Sequence, residues 1–317
     1  MSTPLRDAAR ISSPDATSEL LDAVVIGAGP AGLTAALYLR RFHRHVRIVD
    51  AGDSRASYIG TSHNLAGFPQ GITGTQLLER MTRHLGVVGG FVVHDAVASV
   101  EQRSDETFAL GLTHETLFSR TVIVCTGVKD RPVRLTGAKE VAAAGLLRAC
   151  PVCDGYEFTG KRIGVIGTSL HGVREAAFLR TFSGDVWFIN LSDDSTDPAM
   201  DVEIAAAGLR RTPGVARHLA LGRDHTVFVT TDDGAGHSFD IVYAALGVDP
   251  RTDLLASLGA ELGEAGCAVT DAHCRTSVKN VFAAGDAVSG LHQIAVAVGQ
   301  GAIAATAVHN DLRLRSD

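Results

Sequence analysis

A glycine-rich turn, GAGPAG from Gly27 to Gly32, joins an apolar strand to a helix rich in alanine and leucine. Glycines in such a turn permit a tight reversal, a close approach of the backbone to a pyrophosphate, and close packing of helix on strand. A second strand ends at Asp50, which follows Gly27 by 23 residues. An acid about 20 residues after the first glycine is placed to bind ribose hydroxyls. The combination predicts a Rossmann βαβ unit that binds a dinucleotide.

A second unit with the same order of strand, turn, helix and strand begins at Lys161. Its turn, Gly167 to Gly172, reads GTSLHG, so Ser169 stands where the glycine that approaches the phosphate is expected. A Cβ at that position occupies space that a pyrophosphate needs. We interpret His171 as filling part of the same space. The pattern predicts a Rossmann-like domain with a degraded nucleotide turn.

The end of this second unit also argues against a nicotinamide cofactor. Its second strand ends at Asn190, with neither an acid for NAD nor an arginine for a 2′-phosphate. Asp193 and Asp194 follow and would repel that phosphate. We therefore predict that NAD(P)H does not bind here, with an atypical loop that still accepts NADPH as the alternative.

The C-terminal part supplies a strand, Val281 to Ala284, followed by Gly285, Asp286 and a small-residue helix. Asp286 at a strand end can hydrogen-bond a hydroxyl of the dinucleotide. The predicted fold class is α/β, with two Rossmann-like dinucleotide-binding domains, the second inserted into the first. The predicted parts are a mobile N-terminal tail (1–20), a first domain (21–128 and 247–317) and an inserted domain (129–246).

Composition and charge exclude several classes of protein. The net charge of −6 argues against a nucleic-acid partner, which clustered basic residues would bind. No apolar run reaches the roughly 18 residues that span a bilayer, and the first twenty residues lack the apolar segment of a signal peptide. We therefore expect a cytoplasmic protein with no membrane partner.

Two cysteines of the segment ACPVCDGYEF, Cys150 and Cys153, form a CxxC motif followed at once by Asp154. This spacing suits an intramolecular disulfide at a helix start, and a CxxC lowers the pKa of one thiol so that a reactive thiolate forms. Asp154 is placed to exchange a proton with the pair. A structural zinc is the alternative, and it needs two further ligands.

The remaining three cysteines are weaker candidates for chemistry. Cys125 ends an apolar strand and is interpreted as a small buried hydrophobic residue. Cys267 and Cys274, with His273, could be offered to a metal, but their segment is interpreted as an exposed hairpin of a different domain. We therefore predict no metal site.

The segments GAGPAG, NLAGFPQGITGTQLLERM, CTG, CPVCDG and TSVKNVFAAGD occur in an order and spacing that resembles the low-molecular-weight thioredoxin reductases. The resemblance covers residues 21 to 312. It implies FAD as the cofactor, Cys150 and Cys153 as the redox pair, Asp154 as its acid, and a homodimer. It also implies that Cys153 faces the flavin and Cys150 meets the substrate. Together with the motifs, it indicates these FAD contacts: Gly27, Ala28, Gly29, Pro30, Ala31, Asp50, Ala51, Asn64, Thr126, Gly127, Gly285, Asp286, Gln293 and Ile294.

The departures from the reductases point to a branch of the same superfamily. The degraded nucleotide turn is similar to that of flavin dithiol oxidases, which close disulfides in natural products of the gliotoxin, holomycin and romidepsin type with oxygen as the final acceptor. Many of these have His after the second cysteine, where this chain has Asp154. His292 stands where many reductases have an arginine and is a candidate base for a substrate thiol or a partner of the reduced-flavin anion; an ordinary polar residue at a helix start is the alternative. The same two interpretations apply to His63, beside Asn64.

These features predict an FAD-dependent dithiol oxidase that acts on a small-molecule or peptide dithiol. The alternative is a thioredoxin reductase-like enzyme that reduces a thioredoxin-like protein with NADPH or another electron donor. A flavin-bound redox sensor is the non-enzymatic alternative, although no segment resembles an output module.

Overall fold

The structure is a computed structural model, and it describes residues 19–192 and 198–314. The predicted N-terminal tail lies outside the described residues, except for Glu19 and Leu20. Leu20 already belongs to the first strand, where it pairs with Phe118, so the predicted tail is too long. Asp193 and Asp194 also lie outside the described residues.

The strands and helices alternate along much of the chain. The strands are β1 (Leu20–Ile26), β2 (Val46–Asp50), β3 (Val92–His94), β4 (Ser99–Gln102), β5 (Phe108–Gly111), β6 (Thr116–Val124), β7 (Val128–Asp130), β8 (Leu147–Arg148), β9 (Ile163–Gly167), β10 (Val186–Asn190), β11 (Arg210–Arg211), β12 (Ala216–Leu221), β13 (Val227–Thr231), β14 (Gly236–Phe239), β15 (Ile241–Ala244), β16 (Val248–Pro250) and β17 (Val281–Ala283). The α-helices are α1 (Pro30–Arg41), α2 (Gly74–Val87), α3 (Ala138–Ala143), α4 (Pro151–Asp154), α5 (Leu170–Leu179), α6 (Pro198–Ala206), α7 (Asp253–Ser257) and α8 (Ile294–Arg313). Among the described residues, no helix has the length and apolarity needed to cross a membrane.

Two compact units make up the chain. Of the described residues, the first contains 19–59, 73–128 and 250–314, and the second contains 60–72, 129–192 and 198–249. The sequence analysis placed residues 60–72 in the first domain, and the structure corrects this. The loop closes on itself through backbone hydrogen bonds between Ser62 and Ile72, and Asn64 contacts the CxxC segment of the second unit.

The first unit is built on a sheet with the order β3-β2-β1-β6-β5-β4, in which β17 also pairs with β6. Strands β1, β2, β3, β6 and β17 pair in parallel. Successive side chains of β1 point to opposite faces. Ala23 and Val25 enter the core that includes residues of α1 and α8, whereas Val24 and Ile26 enter the core on the other face. Both faces of β1 are therefore covered, as in a doubly wound α/β fold.

The second unit has a parallel sheet of its own, with the order β11-β10-β9-β15-β8. All of its neighbouring strands pair in parallel. Strands β12, β13 and β14 form a separate antiparallel sheet. The parallel sheet brings the C-terminal ends of β8 and β15 side by side, and the CxxC segment directly follows β8.

Candidate functional site

The first glycine turn has the geometry that its sequence predicts. Gly27 has φ of +101°, and a Cβ there would lie 2.4 Å from the carbonyl oxygen of Cys125. A Cβ on Gly32 would lie 1.8 Å from the carbonyl oxygen of Gly27. Helix α1 then begins with Pro30 in its first turn and Gly29 as the N-cap residue. Only glycine fits at positions 27 and 32. The turn presents the N-terminus of a 12-residue helix.

Asp50 stands at the end of β2 and ties the neighbouring backbone together. Its Oδ1 accepts a hydrogen bond from the N–H of Ala28 at 2.8 Å, and its Oδ2 accepts one from Gly52 at 3.0 Å. The carboxylate is therefore held at the mouth of the glycine turn. Asp50 and the turn come together as the sequence predicts.

The C-terminal candidates lie in the same unit as this turn. Gly285 adopts φ of +78°, and its Cβ would lie 2.9 Å from the Cβ of Ala31. Asp286 makes an ion pair of 2.9 Å with Arg55. Asp286, which the sequence predicts as a dinucleotide contact, therefore lies beside Arg55, a residue that sequence reasoning did not single out.

The other predicted cofactor contacts of this unit are distributed over three loops. Ala51 is exposed after β2. Thr126 donates its hydroxyl proton to the carbonyl of Arg251, and Gly127 accepts a hydrogen bond from the Arg251 N–H. Gln293 is the N-cap of α8 and Ile294 its first residue, with the half-buried His292 directly before them. The roles of these residues stay predictions.

In the second unit, Cys150 and Cys153 are joined by a disulfide. Cys150 is the N-cap of the short helix α4, and the N–H of Cys153 donates to the carbonyl of Cys150 at 3.1 Å. Both cysteines are half-buried, while Val152 between them is exposed. The structure therefore presents a CxxC disulfide near the surface of this unit.

Asn64, predicted as a flavin contact, lies in this second unit. Its side-chain N–H donates to the carbonyl oxygen of Val152 at 3.1 Å, and its Oδ1 accepts from Ser62 at 2.9 Å. The carboxamide thus links the 60–72 loop to the CxxC segment. Its assignment to the flavin stays a prediction, while its contact with the redox segment is a direct observation.

Asp154 is buried, with 8% of its surface exposed. Its Oδ1 accepts a 2.7 Å hydrogen bond from the hydroxyl of Tyr243, and its Oδ2 lies 3.5 Å from Nε of Arg148. Burial raises the pKa of the Asp154 carboxyl, and the Tyr243 hydrogen bond and the Arg148 charge oppose the rise. A buried carboxyl with a raised pKa is better suited to hold and return a proton than an exposed one.

Sequence reasoning missed both partners of Asp154. Tyr243 is a polar exception in the buried strand β15, and burial, followed by the charge of Asp154, raises its pKa. Arg148 stands two residues before the CxxC. The available signals are the hydroxyl of Tyr243 in an otherwise apolar strand and the charge of Arg148 just before the CxxC. Neither signal shows that the residue contacts Asp154.

The second glycine turn keeps the helix–strand packing that its sequence predicts. A Cβ on Gly167 would lie 2.7 Å from the Phe188 ring, so this glycine serves helix–strand packing. Ser169 is the exposed N-cap residue of α5 and makes no side-chain capping bond. Asn190 is buried at the end of β10. His171 is exposed and pairs with Glu175 at 2.9 Å along the helix surface, and its interpretation as a filler of the pyrophosphate space stays a prediction.

The cysteines outside the CxxC are all buried, and all belong to the first unit. Cys125 packs in the core as predicted. The prediction of an exposed hairpin around Cys267 and Cys274 is wrong, because both thiols are buried and the segment forms only isolated bridges. In residues 19–192 and 198–314, no three or more His, Cys, Asp or Glu side chains are grouped to hold a metal.

The buried thiols should resist alkylation in the folded protein. Burial raises the pKa of Cys125, of Cys267 and of Cys274, the last to about 11. At pH 8, Cys274 is then expected to react more than about a hundredfold more slowly than an ordinary thiol with a pKa near 8.5. Mass spectrometry after iodoacetamide treatment of the reduced, folded protein should show two modified cysteines, Cys150 and Cys153. Unfolding in guanidinium should raise the count to five, and rapid native labelling of Cys274 would contradict the burial.

Comparison with known proteins identifies the family. The model of the pyridine nucleotide-disulphide oxidoreductase family matches residues 21–301. The chain belongs to this family. It is 29% identical to a thioredoxin reductase of Peptoclostridium acidaminophilum over 307 residues, 90% of this chain and 95% of that protein.

Solved structures of the family share the whole fold. The crystal structure of HlmI matches with a TM-score of 0.85 and 30% identity, covering 94% of this chain and 95% of HlmI. The thioredoxin reductase of Streptococcus pyogenes matches with a TM-score of 0.84 and 28% identity, covering 93% and 98%. The protein is therefore a thioredoxin reductase-like, flavin-dependent oxidoreductase acting on disulfides, and its two Rossmann-like domains are confirmed.

Proposed function

We propose that this protein is an FAD-dependent dithiol oxidase, which forms a disulfide in a small-molecule or peptide dithiol with O₂ as the terminal electron acceptor. The observation that carries the proposal is the contrast between the two glycine turns. The first, from Gly27 to Gly32, keeps the features of a dinucleotide site, whereas the second, from Gly167 to Gly172, has lost them. In a disulfide enzyme that holds FAD but no NAD(P)H, a thiol substrate can supply the electrons in place of the nicotinamide.

The first turn fits FAD. Gly27 and Gly32 permit the tight turn, because a Cβ at either position would meet backbone, and Gly29 has no Cβ where the fingerprint requires a close approach to the pyrophosphate. The α1 N-terminus supplies N–H donors, and Asp50 is hydrogen-bonded to Ala28 beside them. Gly27, Gly29, Asp50, Gly285 and Asp286 would hold the cofactor. When bound, FAD supplies a two-electron acceptor for the enzyme's dithiol and an electron donor for O₂.

The second turn fits a nicotinamide dinucleotide poorly. Ser169 places a Cβ at the phosphate position, and the buried Asn190 offers no carboxylate for a ribose. A 2′-phosphate is best bound by arginines, and the sequence places Asp193 and Asp194 after β10 instead. These features support an enzyme whose reducing equivalents enter elsewhere.

The thiol chemistry of the chain needs only its own residues and the substrate. A substrate thiolate attacks one sulfur of the Cys150–Cys153 disulfide and forms a mixed disulfide. The second thiolate of the substrate then attacks the substrate sulfur of this mixed disulfide, which releases the substrate as a disulfide. Two electrons and two protons have then moved to Cys150 and Cys153. Asp154, directly after Cys153, accepts a proton when a thiolate must form and returns it when a thiol leaves.

Reduction of a protein disulfide with NADPH or another electron donor is the second candidate function. It is favoured by the similarity to thioredoxin reductases along nearly the whole chain. The parallel sheet of the second unit and the packing glycine Gly167 are also retained. HlmI, a holomycin dithiol oxidase, and the thioredoxin reductase of Streptococcus pyogenes match almost equally well, so the likeness of fold does not decide between the two candidate functions.

NADPH should reduce the bound flavin at least about a hundredfold more slowly than a small dithiol, because the absent charge-assisted contacts are worth roughly 1.5–3 kcal/mol each. The test is anaerobic stopped-flow mixing of the protein with either reagent, followed at the flavin absorbance. On admission of air, the dithiol should become oxidised with release of peroxide. Fast bleaching by micromolar NADPH would instead support the reductase.

A gain-of-function variant provides the matched control. Ser169→Gly removes the Cβ from the phosphate position, whereas Thr168→Gly makes a similar change one residue earlier. If the Cβ blocks the nucleotide, only Ser169→Gly should increase the rate with NADPH. Equal rates in both variants would mean that the turn does not determine the cofactor preference.

A further inference from the structure

Asp154 is the only residue of the Cys150–Gly155 segment that carries a charge, and its carboxyl group is almost fully enclosed. A buried carboxylate is expensive unless it is hydrogen-bonded or paired. Two groups from neighbouring parallel strands supply this compensation: Tyr243 from β15 and Arg148 from β8. These two residues pair in register, Tyr243 opposite Arg148, at the C-terminal edge of the sheet.

The two partners engage different oxygens. The Tyr243 hydroxyl donates to Oδ1 at 2.7 Å, a full hydrogen bond. Arg148 approaches Oδ2 at 3.5 Å, and its Nε is buried without a hydrogen bond to any described residue. The positive charge of Arg148 therefore acts on Oδ2, while Oδ2 is still able to accept a proton. Nε of Arg148 lies close to Oδ2 but donates no hydrogen bond to it.

We propose that Tyr243 and Arg148 are positioning residues for the thiol–disulfide reaction, which direct proton exchange to Oδ2 of Asp154 and keep this buried carboxylate ionised between turnovers. The inference rests on the proposed role of Asp154. Tyr243 is itself buried with a raised pKa, so it remains a donor throughout the working pH range. The proton that leaves a thiol goes to Oδ2, and the same proton returns when that sulfur is protonated again, so no further reagent is required.

Four side chains, together with burial, set the pKa of the Asp154 carboxyl group. Besides Tyr243 and Arg148, they are Glu157 of the following 3₁₀ helix, whose charge raises the pKa of Asp154, and His63 of the 60–72 loop, whose charge lowers it. A hydrogen bond or cation at an ionised carboxylate lowers its pKa. Removing either partner therefore raises the pKa, and Asp154 then becomes protonated at a higher pH.

The test measures the exchange reaction alone, so that it does not depend on the flavin, on NADPH or on oxygen. Oxidised protein is mixed anaerobically with dithiothreitol at about pH 5 to 9, quenched with acid and alkylated, and the free thiols on Cys150 and Cys153 are counted by mass spectrometry. The rate of the wild type and of each variant is divided by the fraction of dithiothreitol that is ionised at that pH, so that the remaining pH profile depends on the groups of the protein.

Tyr243→Phe and Arg148→Gln should each move the acid limb of this profile upward by about one pH unit. Arg148→Lys should restore the wild-type limb, because it keeps the charge. Asp154→Asn should remove the limb. Tyr38→Phe, which deletes a phenol oxygen from α1 in the first unit, should leave the profile unchanged.

The outcomes separate the two proposals. If Asp154→Asn changes the profile but Tyr243→Phe and Arg148→Gln do not, the positioning role is refuted and the role of Asp154 stands. If Asp154→Asn has no effect, the proposed role of Asp154 fails together with the inference. Should Tyr243→Phe fold poorly, the comparison of Arg148→Gln with Arg148→Lys decides, because that side chain is 28% exposed. Equal shifts in both arginine variants would overturn the assignment.

Discussion

Cys153→Ser should abolish dithiol turnover, and its Cys150 thiolate should attack the disulfide form of the substrate and hold it as a mixed disulfide. Disulfide exchange proceeds through such an intermediate, and a second thiolate must resolve it. By the family resemblance Cys150 meets the substrate, so Cys153→Ser retains the attacking thiol but lacks its partner. Turnover is expected to fall more than about a thousandfold, as for other variants that lack a catalytic nucleophile. Intact mass after incubation with the substrate disulfide measures the adduct.

Cys150→Ser should abolish turnover to the same extent without retaining the substrate. Cys274→Ser is the matched control, since it removes a buried thiol of the first unit and should keep turnover. Thermal unfolding of all three variants excludes a loss of fold. An adduct found on Cys153 in the Cys150→Ser protein would reverse the assigned roles, and turnover in either variant of the pair would exclude the disulfide from the reaction.

Gly27→Ala should yield a folded protein that has lost its flavin. The backbone at Gly27 is left-handed, which costs an alanine roughly 1–2 kcal/mol. Its Cβ would also lie 2.4 Å from the backbone oxygen of Cys125, where no change of rotamer can relieve the contact. Since about 1.4 kcal/mol changes an equilibrium constant tenfold, the affinity for FAD should fall more than about tenfold, and the flavin should be lost during purification. Chromatography of the denatured supernatant measures FAD per polypeptide.

Gly86→Ala is the control for this substitution. Gly86 lies in α2, and a Cβ there meets no atom within 4 Å. Alanine also has the higher helix propensity, so this variant should be as stable as the wild type or slightly more so. Full FAD content in Gly27→Ala, or FMN in place of FAD in the wild type, would refute the assignment of the first turn.

The parts of the fold and site that the sequence predicts best are those fixed by local patterns. The Gly27–Gly32 turn, the strands that flank it and the approach of Asp50 follow from residues within one βαβ unit. Their spacing and backbone requirements permit few alternatives. The CxxC disulfide is local for the same reason. The insertion of one domain into another could also be inferred, because a strand pattern typical of the first unit reappears at Val281.

What the sequence could not provide depends on contacts between distant segments. Tyr243 follows Asp154 by 89 residues, and only the parallel pairing of β15 with β8 brings the two together. The burial of Cys267 and Cys274 was missed because a segment without regular strands gives no periodicity to interpret. The pairing of His171 with Glu175 was not predicted, because the direction of a side chain at a helix start depends on the helix axis, which a motif does not define.

The division of the first unit has a consequence for the order of folding during synthesis. Strand β6 pairs with β17, and α1 approaches α8 so closely that a Cβ on Gly301 would lie 2.3 Å from the carbonyl oxygen of Ala31. Both β17 and α8 follow the entire second unit in the chain. The second unit, which carries the CxxC disulfide, therefore leaves the ribosome completely before the first unit can close. Domains generally fold as units while synthesis proceeds. Capture of the flavin is then a late event, which follows the folding of the disulfide-bearing unit.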